Sequence, residues 1–194
     1  RGEIQKLAEI AKPNIKIITN IGFAHIGNLK SKKKIAIEKS EIFTFYSKNG
    51  ISIIPRDDEF FEYLLKKASK FKSEKVLSFG RNIKSTFRII ENSKQKKDVK
   101  IFLSKKKITL TKHVNLSGWE ENISIILGLV ETLELKVKKL ENKVVNLQPI
   151  EGRGKMYNLK ISNIQITLID ESYNSNPSSL KLSIDNLKKY KNKH

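Results

Sequence analysis

The sequence predicts an α/β fold, with a mostly parallel sheet flanked by helices and a small additional β region. The first observation is a set of short Ile-, Val- and Leu-rich runs that read as strands, at 15–18, 51–54 and 76–79. The second is a set of intervening segments with apolar residues at helical spacing, at about 31–43 and 57–70. Three more β-type runs, at 87–90, 99–103 and 108–110, form the small β region. Alternating strands and helices are typical of the α/β class.

The remaining elements suggest two domains. A helix at 1–12 ends at Pro13, and a second helix runs from Trp119 to about Leu133. The predicted apolar face of that second helix consists of Asn122, Ile125, Ile126, Leu129, Val130 and Leu133. After Leu147-Gln148-Pro149 the pattern changes to a hairpin, 155–161 and 164–169, and then to a helix from Pro177 whose predicted inner face is Leu180, Ile184 and Leu187. We therefore expect one domain at 1–147 and the opening of another at 148–194.

Composition excludes several classes of protein. The 194 residues contain no cysteine, so disulfides and thiolate metal sites are excluded. No run of eighteen apolar residues and no signal-peptide pattern is present, which predicts a cytoplasmic protein without a membrane span. The formal charge of +19 raises the alternative of a nucleic-acid-binding module. Its lysines are scattered through every element without interleaved aromatics, so we expect no nucleic-acid partner.

Lys39 occupies an unusual position on the helix that begins near Ser31. Ile35, Ala36, Ile42 and Phe43 form one apolar stripe, and Lys39 lies in the middle of it. A buried ammonium is unfavourable unless it is paired, so this side chain extends to solvent, finds a carboxylate, or lowers its pKa and becomes a nucleophilic amine. The preceding loop contributes His25, whose imidazole is a candidate metal ligand.

A second candidate site follows the hairpin. Its last strand runs into Asp170-Glu171-Ser172-Tyr173-Asn174-Ser175-Asn176-Pro177, where Asn176 and Pro177 are favourable residues for starting a helix. A strand, a polar loop and a helix N-terminus together are the usual place where α/β folds bind anionic ligands. A well-capped connection without a ligand is the alternative.

These segments resemble the Mur ligase family of ATP-dependent amide ligases. The resemblance is carried by Ile18-Thr19-Asn20-Ile21-Gly22 with Ala24-His25, by Lys39-Ser40-Glu41-Ile42-Phe43, by Gly2-Glu3-Ile4 and by the 170–177 loop. It implies the later part of a central ATPase domain, followed by the start of a Rossmann-like C-terminal domain. The loop is similar to the Asp-Asp-x-Tyr-Asn-x-Asn-Pro string of members that join D-alanyl-D-alanine to UDP-N-acetylmuramoyl-tripeptide. Those two substrates, ATP and Mg²⁺ are therefore the implied ligands, and a monomer is expected.

The resemblance also implies roles for individual residues. Catalysis and magnesium binding fall to His25 and to Lys39, the latter as a carbamate, which offers the oxygen ligands that a hard cation prefers. The implied ATP contacts are Asn20, Arg153, Asp170 and Glu171. The implied substrate contacts are Tyr173, Asn174 and Asn176.

The sequence departs from the family pattern at Pro55, Glu120 and Ser124, where the family has Asn, His and Asn. No phosphate-binding Gly-Lys-Thr/Ser loop is present, so we expect an internal part of a longer protein that is inactive alone. Two further alternatives are a sister ligase using another amino acid or folate, and a degenerate ligase-like scaffold.

Overall fold

A computed structural model describes residues 2–22, 31–71, 74–91, 98–104, 107–111, 119–136, 144, 147–173 and 177–187. Its helices are α1 (Glu3–Ala11), α2 (Lys32–Lys39), α3 (Phe61–Ala68), α4 (Glu120–Thr132) and α5 (Pro177–Leu187), and a 3-10 helix, Ser40–Thr44, continues α2. Its strands are β1 (Ile15–Ile17), β2 (Ile51–Pro55), β3 (Lys75–Gly80), β4 (Phe87–Glu91), β5 (Asp98–Phe102), β6 (Lys107–Thr111), β7 (Lys155–Ile161) and β8 (Ile164–Asp170).

The first six strands form one sheet in sequence order, β1-β2-β3-β4-β5-β6. Strands β1 to β4 pair in parallel, and β4 to β6 pair in antiparallel fashion. The predicted α/β class is confirmed, and the small β region continues the main sheet. Because β1, β2 and β3 run in the same direction, the loops that follow them lie along one edge of the sheet.

Helices and loops cover both faces of the sheet at β2. Adjacent residues of a strand point to opposite faces, and here Ile53 and Ile54 are both fully buried, each in a different apolar core. The first core lies between the sheet and α4, and the second lies between the sheet and the α2 and α3 side. Burial on both faces explains why the β2 sequence is continuously apolar at 53–54 instead of alternating.

The predicted apolar face of α4 is correct in part: Ile125 is buried and Leu129 packs against the first core, but the buried face is rotated from the predicted one. Ile126 and Leu133 are 40% and 45% exposed, whereas Ile123 and Leu127 are buried. The buried face also contains the small residues Ser124 and Gly128. A Cβ added at Gly128 would lie 2.5 Å from the Phe87 ring, so the helix approaches β4 more closely there than a larger residue allows. Close approach, and not the widest apolar stripe, selects the face that packs.

Strands β7 and β8 form a separate antiparallel hairpin turned at Ser162, whose φ is 55°. On one face the cross-strand pairs are apolar, namely Tyr157–Leu168, Leu159–Ile166 and Ile161–Ile164. The aliphatic members of these pairs are exposed. The predicted inner face of α5 is also exposed, since Leu180, Ile184 and Leu187 are 53%, 49% and 51% accessible.

A buried ion pair anchors β1. Lys16 is fully buried, and its Nζ donates to both carboxylate oxygens of Glu74 at 2.7 Å and to the carbonyl of Phe45 at 2.7 Å. Glu74 also accepts from the Ser47 backbone N–H at 2.8 Å. The pair therefore fastens β1 to the segment before β2 and to the residue that precedes β3.

Removing one member of this pair should be strongly destabilising. Glu74→Ala would leave the Lys16 ammonium buried without its counter-charge, which costs about 3–5 kcal/mol of unfolding free energy. The double change Lys16→Met with Glu74→Leu should recover most of that loss, because apolar side chains of similar size leave no buried charge. Chemical denaturation followed by the fluorescence of Trp119, the single tryptophan, which packs against the first core, measures both.

The exposed ion pair between Lys32 and Glu59, 2.7 Å long, provides a matched control. Glu59→Ala should change the unfolding free energy by no more than about 1 kcal/mol, as expected for exposed pairs. If Glu74→Ala costs no more than this control, the buried pair does not anchor β1.

Candidate active site

The structure places Lys39 and Asn20 in contact. Lys39 Nζ donates to the Asn20 carbonyl at 2.7 Å, and the Lys39 side chain is half-buried. Burial lowers the pKa of the Lys39 ammonium from its ordinary value, and the nearby Asp58 carboxylate opposes that change. The predicted helix around Lys39 is shorter than expected, because α2 ends at Lys39 and the chain tightens into the 3-10 helix.

Asn20 contributes its backbone to this contact. Its side-chain Oδ1 accepts from the Gly22 N–H at 3.1 Å, which closes a tight turn after β1. The backbone N–H of Ile21 donates to Asp58, in the turn after β2. The loop predicted to hold Asn20 therefore lies at the carboxyl edge of the parallel strands, between α2 and the turn that follows β2.

Three predicted site residues, His25, Asn174 and Asn176, lie outside the described residues. Among the residues that the structure describes, no group of three or more His, Asp or Glu side chains is arranged to hold a metal ion. The lowered pKa raises the share of the uncharged amine form of Lys39.

Glu41, which lies in the Lys39-Ser40-Glu41-Ile42-Phe43 segment, has a structural contact. Both of its carboxylate oxygens accept from the Gly2 backbone N–H, at 3.1 and 3.0 Å. Gly2 is the N-cap of α1, so an acidic side chain sits where the helix dipole favours negative charge. Two of the segments that carry the family resemblance are therefore joined directly.

A second group of predicted residues assembles at the start of the hairpin. The Arg153 guanidinium lies over the Tyr173 ring, 4.4 Å from its centroid. The Tyr173 N–H donates to the Gly152 carbonyl at 3.1 Å, and the Gly154 N–H donates to the Asp170 carbonyl at 2.7 Å. A Cβ at Gly152 would lie 2.7 Å from the Tyr173 Cβ, and the φ of Gly152 is 74°, so glycine is required there twice over.

Asp170 holds this turn through its carboxylate. Gly152 N–H donates to Asp170 Oδ2 at 2.8 Å, and Ser172 N–H donates to Oδ1 at 3.1 Å. Hydrogen bonds from the Ser172 hydroxyl and from these two backbone groups lower the pKa of Asp170. Glu171 is exposed beside Gly154.

Sequence reasoning did not identify Asp58 or the contact between Arg153 and Tyr173. Two consecutive aspartates in the turn after a strand were the available signal for Asp58, since short acidic side chains commonly accept backbone N–H groups at turns. The departures at Glu120 and Ser124 are both buried in the structure, and the Ser124 hydroxyl donates to the Glu121 carbonyl at 2.7 Å.

Residues 1–127 match the Mur ligase middle domain, and the chain belongs to the Mur ligase family. Among relatives, it is similar to the UDP-N-acetylmuramoyl-tripeptide–D-alanyl-D-alanine ligase of Rickettsia prowazekii (strain Madrid E), with 28% identity over 190 residues. This similarity covers 97% of the chain and 41% of that relative. The corresponding ligase of Treponema pallidum (strain Nichols) is 44% identical over 57 residues, which is 29% of this chain and 12% of that relative.

Solved structures show the same fold. MurF from Acinetobacter baumannii superposes with a TM-score of 0.77 at 21% identity, over 97% of this chain and 40% of that one. MurF ligase from Thermotoga maritima, in complex with ADP, superposes with a TM-score of 0.75 at 22% identity, over 96% and 42%. The chain spans about two fifths of the length of the Rickettsia relative. No described helix is both long and apolar enough to cross a bilayer.

Titration of Asp170 tests the geometry of the hairpin start. Because its pKa is lowered in the folded protein, the charged carboxylate supports the turn at pH values above the ordinary aspartate pKa of about 3.9. That support disappears as the pH falls through the lower folded value. Carboxyl carbon NMR should give a midpoint below the ordinary value, and the Gly152 amide shift should follow the same midpoint. Asp170→Asn should remove that transition, and a midpoint at or above the ordinary value would contradict the contacts.

Proposed function

We propose that the protein is an ATP-dependent, ADP-forming amide ligase that joins D-alanyl-D-alanine to UDP-N-acetylmuramoyl-tripeptide in peptidoglycan synthesis. The observation that carries this proposal is similarity to ligases of that name along 97% of the chain. The 170–177 loop supports the same choice, because it is similar to the string of the members that use D-alanyl-D-alanine. The chain covers part of its relatives, so the proposal concerns the longer protein in which these residues act.

The proposed reaction has two steps. An oxygen of the tripeptide carboxylate attacks the terminal phosphorus of ATP, the bond to the bridging oxygen breaks, and ADP leaves. The amine of D-alanyl-D-alanine then attacks the acyl phosphate carbon, phosphate leaves, and the nitrogen loses its proton as the amide forms. Such a reaction depends on positioning and on neutralising phosphoryl charge.

We assign the positioning of ATP and of the substrates to the following residues. Arg153 stacks on Tyr173, which supports our assignment of its planar guanidinium to the ATP phosphates. We place Asn20, Asp170 and Glu171 at the nucleotide, and Tyr173 with Asn174 and Asn176 at the substrate.

We assign magnesium binding to Lys39, as a carbamate, and to His25. Carbamate formation joins the Lys39 amine to carbon dioxide with loss of one proton, and the half-buried, low-pKa amine fits that chemistry. A bound Mg²⁺ would neutralise charge on the transferring phosphoryl group. Lys39 Nζ donates to the Asn20 carbonyl, and this contact fixes the position of the nitrogen to which the carbamate carbon would be attached.

We further propose that 1–147 is part of the central ATP-binding domain and that 148–194 opens the C-terminal domain. Support comes from Leu147, which packs against the first core, and from the hairpin, which forms its own sheet. We place the enzyme in the cytoplasm, because ATP and UDP-N-acetylmuramoyl-tripeptide are nucleotides, and we propose that it acts as a monomer.

A substrate panel on the full-length protein tests the reaction. Release of ADP and phosphate should require UDP-N-acetylmuramoyl-tripeptide and D-alanyl-D-alanine together. Single amino acids, and a folate with glutamate, should give no product by mass spectrometry. Turnover with one of those instead would assign a sister ligase, and binding of nucleic acid without any turnover would exclude the proposal.

Substitution of Lys39 by Arg separates a carbamate from a simple cation. Arg keeps the positive charge and a donor for the Asn20 carbonyl, but its guanidinium stays protonated and does not form a carbamate. We expect Lys39→Arg and Lys39→Ala to lower kcat by about a hundredfold or more, as loss of an electrostatic catalytic group does. Lys33→Arg, an exposed position of the same helix, should be without effect. Near-normal turnover of Lys39→Arg would show that the charge alone is used.

A further inference from the structure

The turn after β2 contains two consecutive carboxylates that hold different loops. Asp58 Oδ1 accepts from the Phe60 N–H at 2.9 Å, and Oδ2 accepts from the Ile21 N–H at 3.0 Å. Asp57 accepts from the N–H groups of Arg81 and Asn82. Asp58 thus fastens the turn to the loop after β1, and Asp57 fastens it to the loop after β3.

The contact of Asp58 falls on a particular peptide unit. The N–H that donates to Asp58 belongs to the same peptide group as the Asn20 carbonyl, which accepts from Lys39 Nζ at 2.7 Å. A planar trans peptide directs its N–H and its C=O to opposite sides. The peptide is therefore held between an ammonium and a carboxylate, with its dipole aligned to both charges, an arrangement that strengthens each hydrogen bond.

This arrangement has one favourable orientation. If the peptide plane turned over, the Asn20 carbonyl would face the Asp58 carboxylate and the Ile21 N–H would face an N–H donor of Lys39, which the ammonium and the proposed carbamate both carry, so both contacts would be repulsive. The side chain of Ile21 is 4% exposed within the second core, so the chain beside the peptide is fixed by packing. Asp58 then restrains the rotation of the peptide plane from the N–H side, where Lys39 does not reach.

We propose that Asp58 is a positioning residue of the candidate site, which fixes the Asn20–Ile21 peptide so that its carbonyl holds the tip of Lys39. Asp58 does not need to contact substrate for this role, because both of its oxygens already accept backbone N–H groups. The inference rests on the proposed function to the extent that the position of Lys39 matters for ligation.

Hydrogen exchange tests the geometric part without reference to activity. In the full-length protein, Asp58→Ala should raise amide exchange in a peptide covering 19–22 by about tenfold or more, since it removes a charge-assisted hydrogen bond from a local opening equilibrium. Asp58→Asn keeps one acceptor oxygen for two donors, so its effect should be intermediate. Asp57→Ala is the matched control, because it also removes two backbone contacts and should raise exchange around 81–82 instead.

Steady-state kinetics test the positioning part. Asp58→Ala should lower kcat by about a hundredfold and change its KM for ATP by less than about threefold, because misplacement of a catalytic group acts on the chemical step. The kcat of the control variant, Asp57→Ala, should change by less than about threefold. If the role of Asp58 were purely structural, Asp58→Ala would lower kcat only in proportion to its loss of thermal stability. Asp57→Ala gives the reference for that proportion.

The outcomes separate the two proposals. If the wild-type protein ligates and Asp58→Ala leaves either exchange at 19–22 or kcat unchanged, the positioning role is overturned and the ligase function stands. If the wild-type protein performs no ligation with any member of the substrate panel, the proposed function falls, and the catalytic meaning of Asp58 falls with it. Raised exchange together with the selective loss of kcat, partly retained in Asp58→Asn, supports the role.

Discussion

The buried ion pair between Lys16 and Glu74 is the interaction on which the candidate site depends. Strand β1 has three residues and lies at one edge of the described sheet, so its ladder with β2 is short. The ion pair adds an anchor at the middle of that strand and fixes the point at which the chain leaves the sheet. The Asn20–Ile21 peptide follows within a few residues. The acceptor that Lys39 meets is therefore placed by a second lysine that takes no part in the proposed chemistry.

The sequence predicted the strands and the fold class because short Ile- and Val-rich runs in a chain this polar favour buried β-strands. Lys16 escaped that reasoning, since a lysine between two isoleucines reads as the solvent-facing residue of an alternating strand. Its partner lies 58 residues away, and no local pattern connects the two. The packing face of α4 was predicted only in part for a related reason. Gly128 permits contact with Phe87, and an apolar count gives a glycine no weight.

The candidate site residues were proposed from side-chain identity, and the contacts that depend on backbone direction were not foreseen. Lys39 stood out because it interrupts an apolar stripe, and resemblance to the family then paired it with His25, which lies outside the described residues. The role of Asp58 depends on the direction of one N–H group, and the stacking of Arg153 on Tyr173 depends on the turn at Gly152. Both follow from turn geometry that residue types alone leave open.

The solvent-facing apolar pairs of the β7–β8 hairpin leave it, within residues 1–194, with little buried surface to hold it closed. A two-stranded hairpin is only marginally stable in water, whereas the six-stranded sheet is covered by two cores. Taken by itself, the hairpin would therefore open more readily than the larger sheet. In residues 1–194 alone, the surroundings of Arg153 would be lost on warming before those of Lys39.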